Sequence, residues 1–381
     1  MSKKPVIGIL TWREGKRFGE PGYLRRLVTA GKRMGAETFL FSHQDVNTAE
    51  KKIRGFVPAK GGGWESRLFP WPEVVIDRYR KREDAYMRLR HGGVFQFANS
   101  PFGKKWRVTE LLAKDDRVKR WIPETYVYAK GKVKAMLDRY PIVYVKPGNG
   151  TGGRSIVKIS QAGKHFLIQG RDRRLQRRKA SFATRDGVES WIQKWVREQR
   201  IRDGNFLVQQ GLDLSLVPGR VADVRLLIQK NSAGEWEVTG SGVRLGETGS
   251  SISNLHGGGK AISFQSFVGK RFGPERTKLI QQECHRMAHE IASVLEEKFG
   301  RMMEFGLDVG VDVAGRVWLI EVNPKPGREI FRQMGDTRTY EEAIARPVSF
   351  ALHLINSGQV QTKGGRKRRE PNPERSGGDP P

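Results

Sequence analysis

Cysteine is almost missing from this chain: one residue, Cys284, in 381. An internal disulfide framework is therefore excluded, and a reducing compartment, or one indifferent to redox, is expected. Long hydrophobic runs are missing too, so no segment reads as a membrane helix and a cytoplasmic setting is expected. The opening MSKKPVIGILTWREGK begins like a signal peptide, but its apolar stretch runs at once into Arg13 and Glu14 and reads as a buried strand. Acidic residues are in deficit. The 41 Asp and Glu against 70 Lys and Arg leave a formal charge of +29, which suits work among polyanions. Neither zinc-ligand spacing nor an RNP-type aromatic pattern accompanies that charge, so specific nucleic-acid recognition is not expected and a solvated surface is the plainer reading.

What is present is enough to fold. Hydrophobic residues make up 37% of the chain, including nine tryptophans, and the length suggests two or three domains. Strand-like Val6–Leu10, helical Tyr23–Met34, strand-like Glu37–Phe41 and the buried run Val74-Val75-Ile76 before Asp77-Arg78 alternate as in a small parallel α/β domain, residues 1–98. Helices are expected at 104–113, 133–140, 187–200 and 339–355, and strands at 126–128, 206–208, 221–229 and 235–245. Pro274 should open a helix whose apolar stripe is Leu279, Ile280, Met287, Ile291, Val294 and Leu295, with Cys284 in the core beside it. The tail from Lys363 has nothing apolar to bury and should be disordered.

Two stretches carry chemistry. In YVKPGNGTGGRS, residues 144–155, Lys146 precedes the glycines, whereas in a P-loop the lysine follows them and opens a helix. The alternating Ser155–Ile159 that follows makes this strand, glycine loop, strand, with the lysine pointing back under the loop. The second stretch is FGLDVGVDVAGRVWLIEVNPKPG. Glu321 and Asn323 lie two apart on one strand, hence on one face, and the antiparallel return can set Asp308 beside them. Two carboxylates and an amide oxygen suit Mg2+ with bound phosphates. The competing reading is a strand pair with solvent-facing acids; the apolar Trp318-Leu319-Ile320 and Val322 around them favour a core setting, where a charge needs a partner or a metal.

The order Lys105, Lys146 with its glycine loop, Gln209–Leu212, Asp223-Val224-Arg225, Asn254-Leu255-His256-Gly257-Gly258 and Asp308 with Glu321-Val322-Asn323 resembles the ATP-grasp superfamily over residues 99–355. The GILT at the N-terminus, Asp77-Arg78, KKW at 104–106 and IPET at 122–125 resemble, within it, the YheC/YheD group of endospore coat-associated proteins. The resemblance implies an α+β/α/β chain: the N-terminal α/β domain, an ATP-grasp domain at 99–358 with two α+β subdomains clasping ATP, and a basic tail at 359–381. It implies that Lys105 and Lys146 neutralise phosphates, a surface helix lysine being the competing reading of Lys105. Gly148, Gly150, Gly152, Gly153 and Ser155 would form the phosphate loop, Gln209, Gln210 and Leu212 the adenine hinge, and Asp223 a ribose acceptor. Relatives often carry an acid where Gln209 stands, so any side-chain contact to adenine would differ. Arg225, Arg244 and Asn254 would surround the transferred phosphate, and Asp308, Glu321 and Asn323 would hold Mg2+, with Mn2+ as the alternative.

The implied activity is carboxylate–amine ligation through an acyl-phosphate, associated with the spore coat, on carboxylate and amine substrates the sequence does not name. A non-catalytic ATP-binding coat component and a protein acting through its charge alone are the competing classes. His256 reads as a loop-packing residue and Arg328 as an exposed loop arginine rather than a ligand for a substrate carboxylate. The basic segment 164–185 reads as a lid hairpin with a charged outer face; collecting an acidic substrate or docking onto an acidic coat polymer are its other readings.

Overall fold

The computed structural model describes residues 3–81, 83–150, 153–201, 205–246 and 259–359. The expected tail, Gly152, and the Asn254, His256, Gly257 and Gly258 of the polar loop lie outside the described residues.

The chain begins with β1 (Val6–Leu10), the short pair β2 (Arg13–Glu14) and β3 (Arg17–Phe18), α1 (Pro21–Arg33), β4 (Glu37–Phe41), β5 (Val46–Asn47), β6 (Lys52–Pro58), β7 (Trp64–Pro70), β8 (Val74–Asp77) and α2 (Asp84–His91). The first sheet runs β5-β6-β4-β1-β8, with β7 paired to β6. Its centre is parallel as expected: β1 pairs in parallel with β4 and β8, and these three strands are almost wholly buried. Beyond the expected parallel strands, β6 returns antiparallel to β4 and forms a hairpin with β7. Gly62 and Gly63, both at positive φ, make the turn that allows it.

Next come α3 (Lys105–Lys114), β9 (Thr125–Val127), α4 (Lys132–Leu137), β10 (Ile142–Pro147), β11 (Ile156–Ala162), β12 (His165–Arg171), β13 (Arg177–Phe182), α5 (Arg185–Gln199) and β14 (Phe206–Gln210). The strands form an antiparallel second sheet, β13-β12-β11-β10-β14-β9. Period-two alternation gives it one apolar face. Val143, Val145, Val157, Ile159, Phe166 and Ile168 pack on α4 and α5. The opposite face bears Tyr144, Lys146, Lys158 and Gln209.

The last part holds β15 (Ala222–Lys230), β16 (Trp236–Leu245), β17 (Lys260–Ile262), α6 (Phe264–Phe299), β18 (Glu304–Val311), β19 (Val317–Asn323), α7 (Glu329–Gln333) and α8 (Thr337–Asn356), with the third sheet ordered β17-β16-β15-β18-β19. Its apolar face, with Val224, Leu226, Val243, Leu307 and Val309, packs under α6. That helix starts earlier than Pro274. Ser263 caps it at Phe264, Gly273 breaks it at φ 72° and ψ 170°, and Pro274 opens the second segment. Its core stripe is Ile280, Cys284, Met287, Ile291, Val294 and Leu295, each contributing roughly 1–3 kcal/mol by burial. Leu279 is corrected to the solvent side, at 56% exposure. One residue of helix is 100°, enough to carry a neighbour of Ile280 off the stripe.

The final helix serves two sheets. Ile344, Val348, Phe350, Ala351 and Leu354 share a core with Ile7, Ile9, Val74 and Ile76, while Ala343 packs with Leu227 and Phe331. A buried ionic knot reinforces this join. Glu304 of β18 accepts from Arg78 Nη1 at 3.0 Å, from Gln229 Nε2 at 2.9 Å and from Arg328. The Arg78 and Arg328 guanidiniums lie 4.9 Å and 4.4 Å from the Tyr23 ring centre. Arg328 is thus 3% exposed, which corrects its reading as an exposed loop arginine. Its loop turns inward because Glu304 would otherwise be a buried charge with too few partners.

Candidate functional site

The cross-strand register of the third sheet decides which polar residues meet. Asp308 lies opposite both Arg225 and Glu321, Asp223 opposite Arg244, and Gly306 opposite Asn323. Directly opposed residues share a face, so Asp223, Arg225, Arg244, Asp308, Glu321 and Asn323 all lie on the face away from α6. A β-bulge makes this possible. From the turn inward, Val311 pairs with Val317, Gly310 with Trp318 and Val309 with Leu319, which would bring Ile320 against Asp308. The extra residue at Ile320 shifts the register and brings Glu321 there instead.

The charges on that face are arranged in pairs. Arg225 Nε stands 2.9 Å from Asp308 Oδ1, Arg244 Nη2 stands 3.0 Å from Asp308 Oδ2, and Arg244 also holds Asp223. Burial alone would lower the Arg244 pKa, but Asp308 and Asp223 more than offset it and hold the guanidinium above its ordinary value. Asp308 Oδ1 and Arg225 Nε are close but misaligned, and among the described residues neither atom makes a hydrogen bond although both are buried. Asp223, expected at a ribose, is thus placed on the arginine that contacts Asp308.

The second sheet supplies the facing wall. Lys146 Nζ donates to Gln209 Oε1 at 2.7 Å, and Gln209 Nε2 donates to Thr125 Oγ1 at 2.8 Å. Lys105, the first residue of α3, reaches Glu321 Oε1 at 2.6 Å and the Gly150 carbonyl at 3.2 Å. The surface-lysine reading of Lys105 therefore gives way: its ammonium joins the glycine loop to the acidic strand. Lys146 is depressed below the ordinary lysine pKa, first by burial, with Glu321 working the other way and Lys105 adding to the depression. A half-buried lysine beside another cation is short of negative charge, which a phosphate would supply.

The glycine loop is tight. The Gly148 amide donates to the Asn205 carbonyl at 2.8 Å, and a Cβ on Gly148 would stand 3.2 Å from Trp106 Cβ. Gly153 has φ 73°, a conformation that favours glycine. Ser155, expected in the phosphate loop, is 3% exposed and its hydroxyl donates to Gln199 on α5, which anchors the loop's end. In the expected hinge, the Gln210 amide donates to the Glu124 carbonyl and the Gly211 amide to Ile142, so sheet pairing occupies both. Leu212 follows directly. Sequence reasoning missed Gly306: a Cβ there would stand 2.6 Å from Pro326 Cβ and 2.9 Å from Arg225 Nη1, so only glycine leaves that guanidinium its place. The spacing of β18 alone carries no sign of that need.

A cavity of about 20 Å³ lies between these walls, lined by Lys105, Leu112, Ile122, Gln209, Leu319 and Glu321 among others. Its lining mixes apolar and polar side chains, and it holds little more than one water. Four cations, Lys105, Lys146, Arg225 and Arg244, face three carboxylates, Asp223, Asp308 and Glu321. The donor set fits Mg2+: two opposed carboxylates, one with a buried oxygen that makes no hydrogen bond, and the Asn323 amide on the same face. The surrounding lysines and arginines fit the phosphates of a nucleotide.

A model of the YheC/D-like ATP-grasp family matches residues 94–354. The chain belongs to that family. It is 28% identical over 344 residues to the endospore coat-associated protein YheD of Bacillus subtilis, covering 86% of this chain and 74% of YheD. It is 23% identical over 326 residues to YheC of the same organism, covering 82% and 87%. Among solved structures it is similar in fold to D-cycloserine synthetase DcsG, with a TM-score of 0.51 at 12% identity over 90% of this chain and 99% of that one. The architecture is the ATP-grasp fold. ATP-grasp enzymes use ATP with Mg2+, and the second and third sheets of this chain are the two halves of that grasp. Among the described residues no helix is long and apolar enough to cross a membrane.

Proposed function

We propose that this protein is an ATP- and Mg2+-dependent carboxylate–amine ligase that works through an acyl-phosphate, in association with the spore coat. The observation that carries the reading is the convergence of Lys105, Lys146, Arg225 and Arg244 on the Asp308–Glu321 pair between the two sheets. ATP supplies the γ-phosphoryl group and Mg2+ neutralises charge on its phosphates. Lys146 and Lys105 hold phosphate oxygens from the side of the second sheet. Arg225 and Arg244 hold charge on the equatorial oxygens as a substrate carboxylate oxygen attacks phosphorus and ADP leaves. Asn254, outside the described residues, joins them in this reading. An amine then attacks the acyl carbon, expels phosphate and gives up a proton. Asp308, Glu321 and Asn323 hold the metal, and Gln209 to Leu212 flank the adenine, with the Gln209 side chain occupied by Lys146 and Thr125.

The cavity is far smaller than a nucleotide, so binding parts the two walls around Leu112, Ile122 and Leu319. The test is incubation with Mg·ATP, hydroxylamine and small carboxylates, followed by mass spectrometry for ATP-dependent hydroxamates. Glu321→Gln should lower product on the order of a hundredfold or more, since a metal ligand contributes several kcal/mol. Undiminished product in that variant would remove the metal assignment. Nucleotide binding with no product from any carboxylate would favour the non-catalytic ATP-binding coat component.

A further inference from the structure

The open face of the second sheet does not end at the nucleotide cleft. Register carries it outward: Gln209 lies opposite Tyr144, Tyr144 opposite Lys158, Lys158 opposite Gln169, and Gln169 opposite Lys179. The adjacent row runs Ile156, Arg171, Arg177. Since opposed residues share a face, Lys146, Lys158, Arg171, Arg177 and Lys179 form one basic surface from the cleft to the sheet's outer edge. No Asp or Glu lies on this face among the described residues of β10 to β14. At the cleft end Glu321 acts on Lys146 and Asp213 on Tyr144; at the outer end the acid is Asp172, which is buried and holds Arg178 of the other face, Oδ2 to Nη2, at 2.6 Å.

Two features make this more than a solvated charge. Arg171 sits directly opposite Arg177, a like-charge cross-strand pair that costs stability. Elsewhere many of this chain's arginines are paired with acids, yet Lys158, Arg171, Arg177 and Lys179 make no ion pair among the described residues. In addition, β13 is an edge strand, with exposed residues and no strand beyond it among the described residues. Its outer backbone groups are open to pairing with another extended chain.

We propose that this face docks an acidic polypeptide and leads it to the nucleotide cleft, so that the carboxylate substrate is a side chain or terminus of that polypeptide. The proposal rests on the ligase reading for its last clause only; the docking stands apart from turnover. Four strand-to-strand steps separate the edge from Gln209, roughly 19 Å at about 4.8 Å per step, which about six extended residues would span. Alternate side chains of an extended peptide repeat at about the pitch of Arg177 and Lys179. The free strand edge favours a polypeptide over nucleic acid, which has no backbone amides to pair, and Tyr144 is the one aromatic of these rows on which a base could stack.

The test titrates the full chain into fluorescently labelled polyglutamate of about 30 residues, with single-stranded DNA of matched charge alongside, over a range of salt. The dock variant is Arg177→Glu with Lys179→Glu. The control variant is Lys194→Glu with Arg197→Glu on α5, exposed and changing net charge equally. The expected result is at least about a tenfold loss of polyglutamate affinity in the dock variant only, with ATP binding unchanged in both. Equal losses in the two variants would reduce the effect to net charge and overturn the dock. DNA bound more tightly than polyglutamate and lost with the dock variant would overturn the choice of partner. Polyglutamate binding that persists in Glu321→Gln supports docking even if the ligase assay fails, and glutamyl hydroxamates that require Arg177 and Lys179 support the last clause.

Discussion

At the scale of single residues, Lys146 is where burial and function conflict. Its ammonium is desolvated and close to Lys105, with Glu321 as partial compensation, so its pKa lies below the ordinary 10.4 or so. For a lysine depressed by folding, the stability it contributes is complete above the unfolded pKa and is lost as pH falls through the folded one. Phosphate binding reverses the preference by favouring the charged form. ATP affinity should therefore fall as pH rises through the folded pKa of Lys146, at a midpoint below that of a free lysine. Lys146→Arg, which stays protonated, should show no such midpoint between pH 7 and 10. Fluorescence titration with a nucleotide analogue at stepped pH measures it; a wild-type midpoint at or above the free-lysine value would contradict the assignment. Cys284 is the opposite case, a core residue whose thiol is pushed up to about 12 by burial and which takes no part in the site.

At the scale of elements, the β18–β19 hairpin shows how far sequence reaches. The strands, their antiparallel return and the nearness of Asp308 to Glu321 were legible, because alternation and a glycine turn are local signals. The bulge at Ile320 was not: the core-facing positions shift phase from Val317 and Leu319 to Val322, and an apolar residue at the extra position masks that shift. The inward turn of Arg328 and the position of Leu279 were hidden for a like reason: both depend on partners distant in sequence, Glu304 for one and the third sheet for the other. Gly306 is the most exacting position of the hairpin. Gly306→Ala should crowd Pro326 and displace the Arg225 guanidinium from Asp308, costing about 1–3 kcal/mol by overpacking. It should also lower turnover more than nucleotide affinity. Thermal melts and steady-state kinetics read the two effects separately, and a variant unchanged in both would remove Arg225 from the phosphate site.

At the scale of the molecule, the three sheets are joined by shared parts, and the expected boundary near residue 98 is crossed by several contacts, Lys325 to Asp77 at 2.9 Å among them. The last helix closes the core of the first sheet, and Glu304 of the third sheet binds Arg78 of the first. Glu304→Ala leaves Arg328 buried without its carboxylate and Arg78 with Glu20 alone, and should destabilise the fold by about 3–5 kcal/mol, visible as a lower denaturation midpoint. The measurement closest to the central claim is calorimetric titration with a non-hydrolysable ATP analogue, with and without Mg2+, on the wild type and on Asp308→Asn with Glu321→Gln. The account predicts that Mg2+ tightens nucleotide binding in the wild type and has lost that effect in the variant. Equal enhancement by Mg2+ in both proteins, or no nucleotide binding by the wild type, would contradict it.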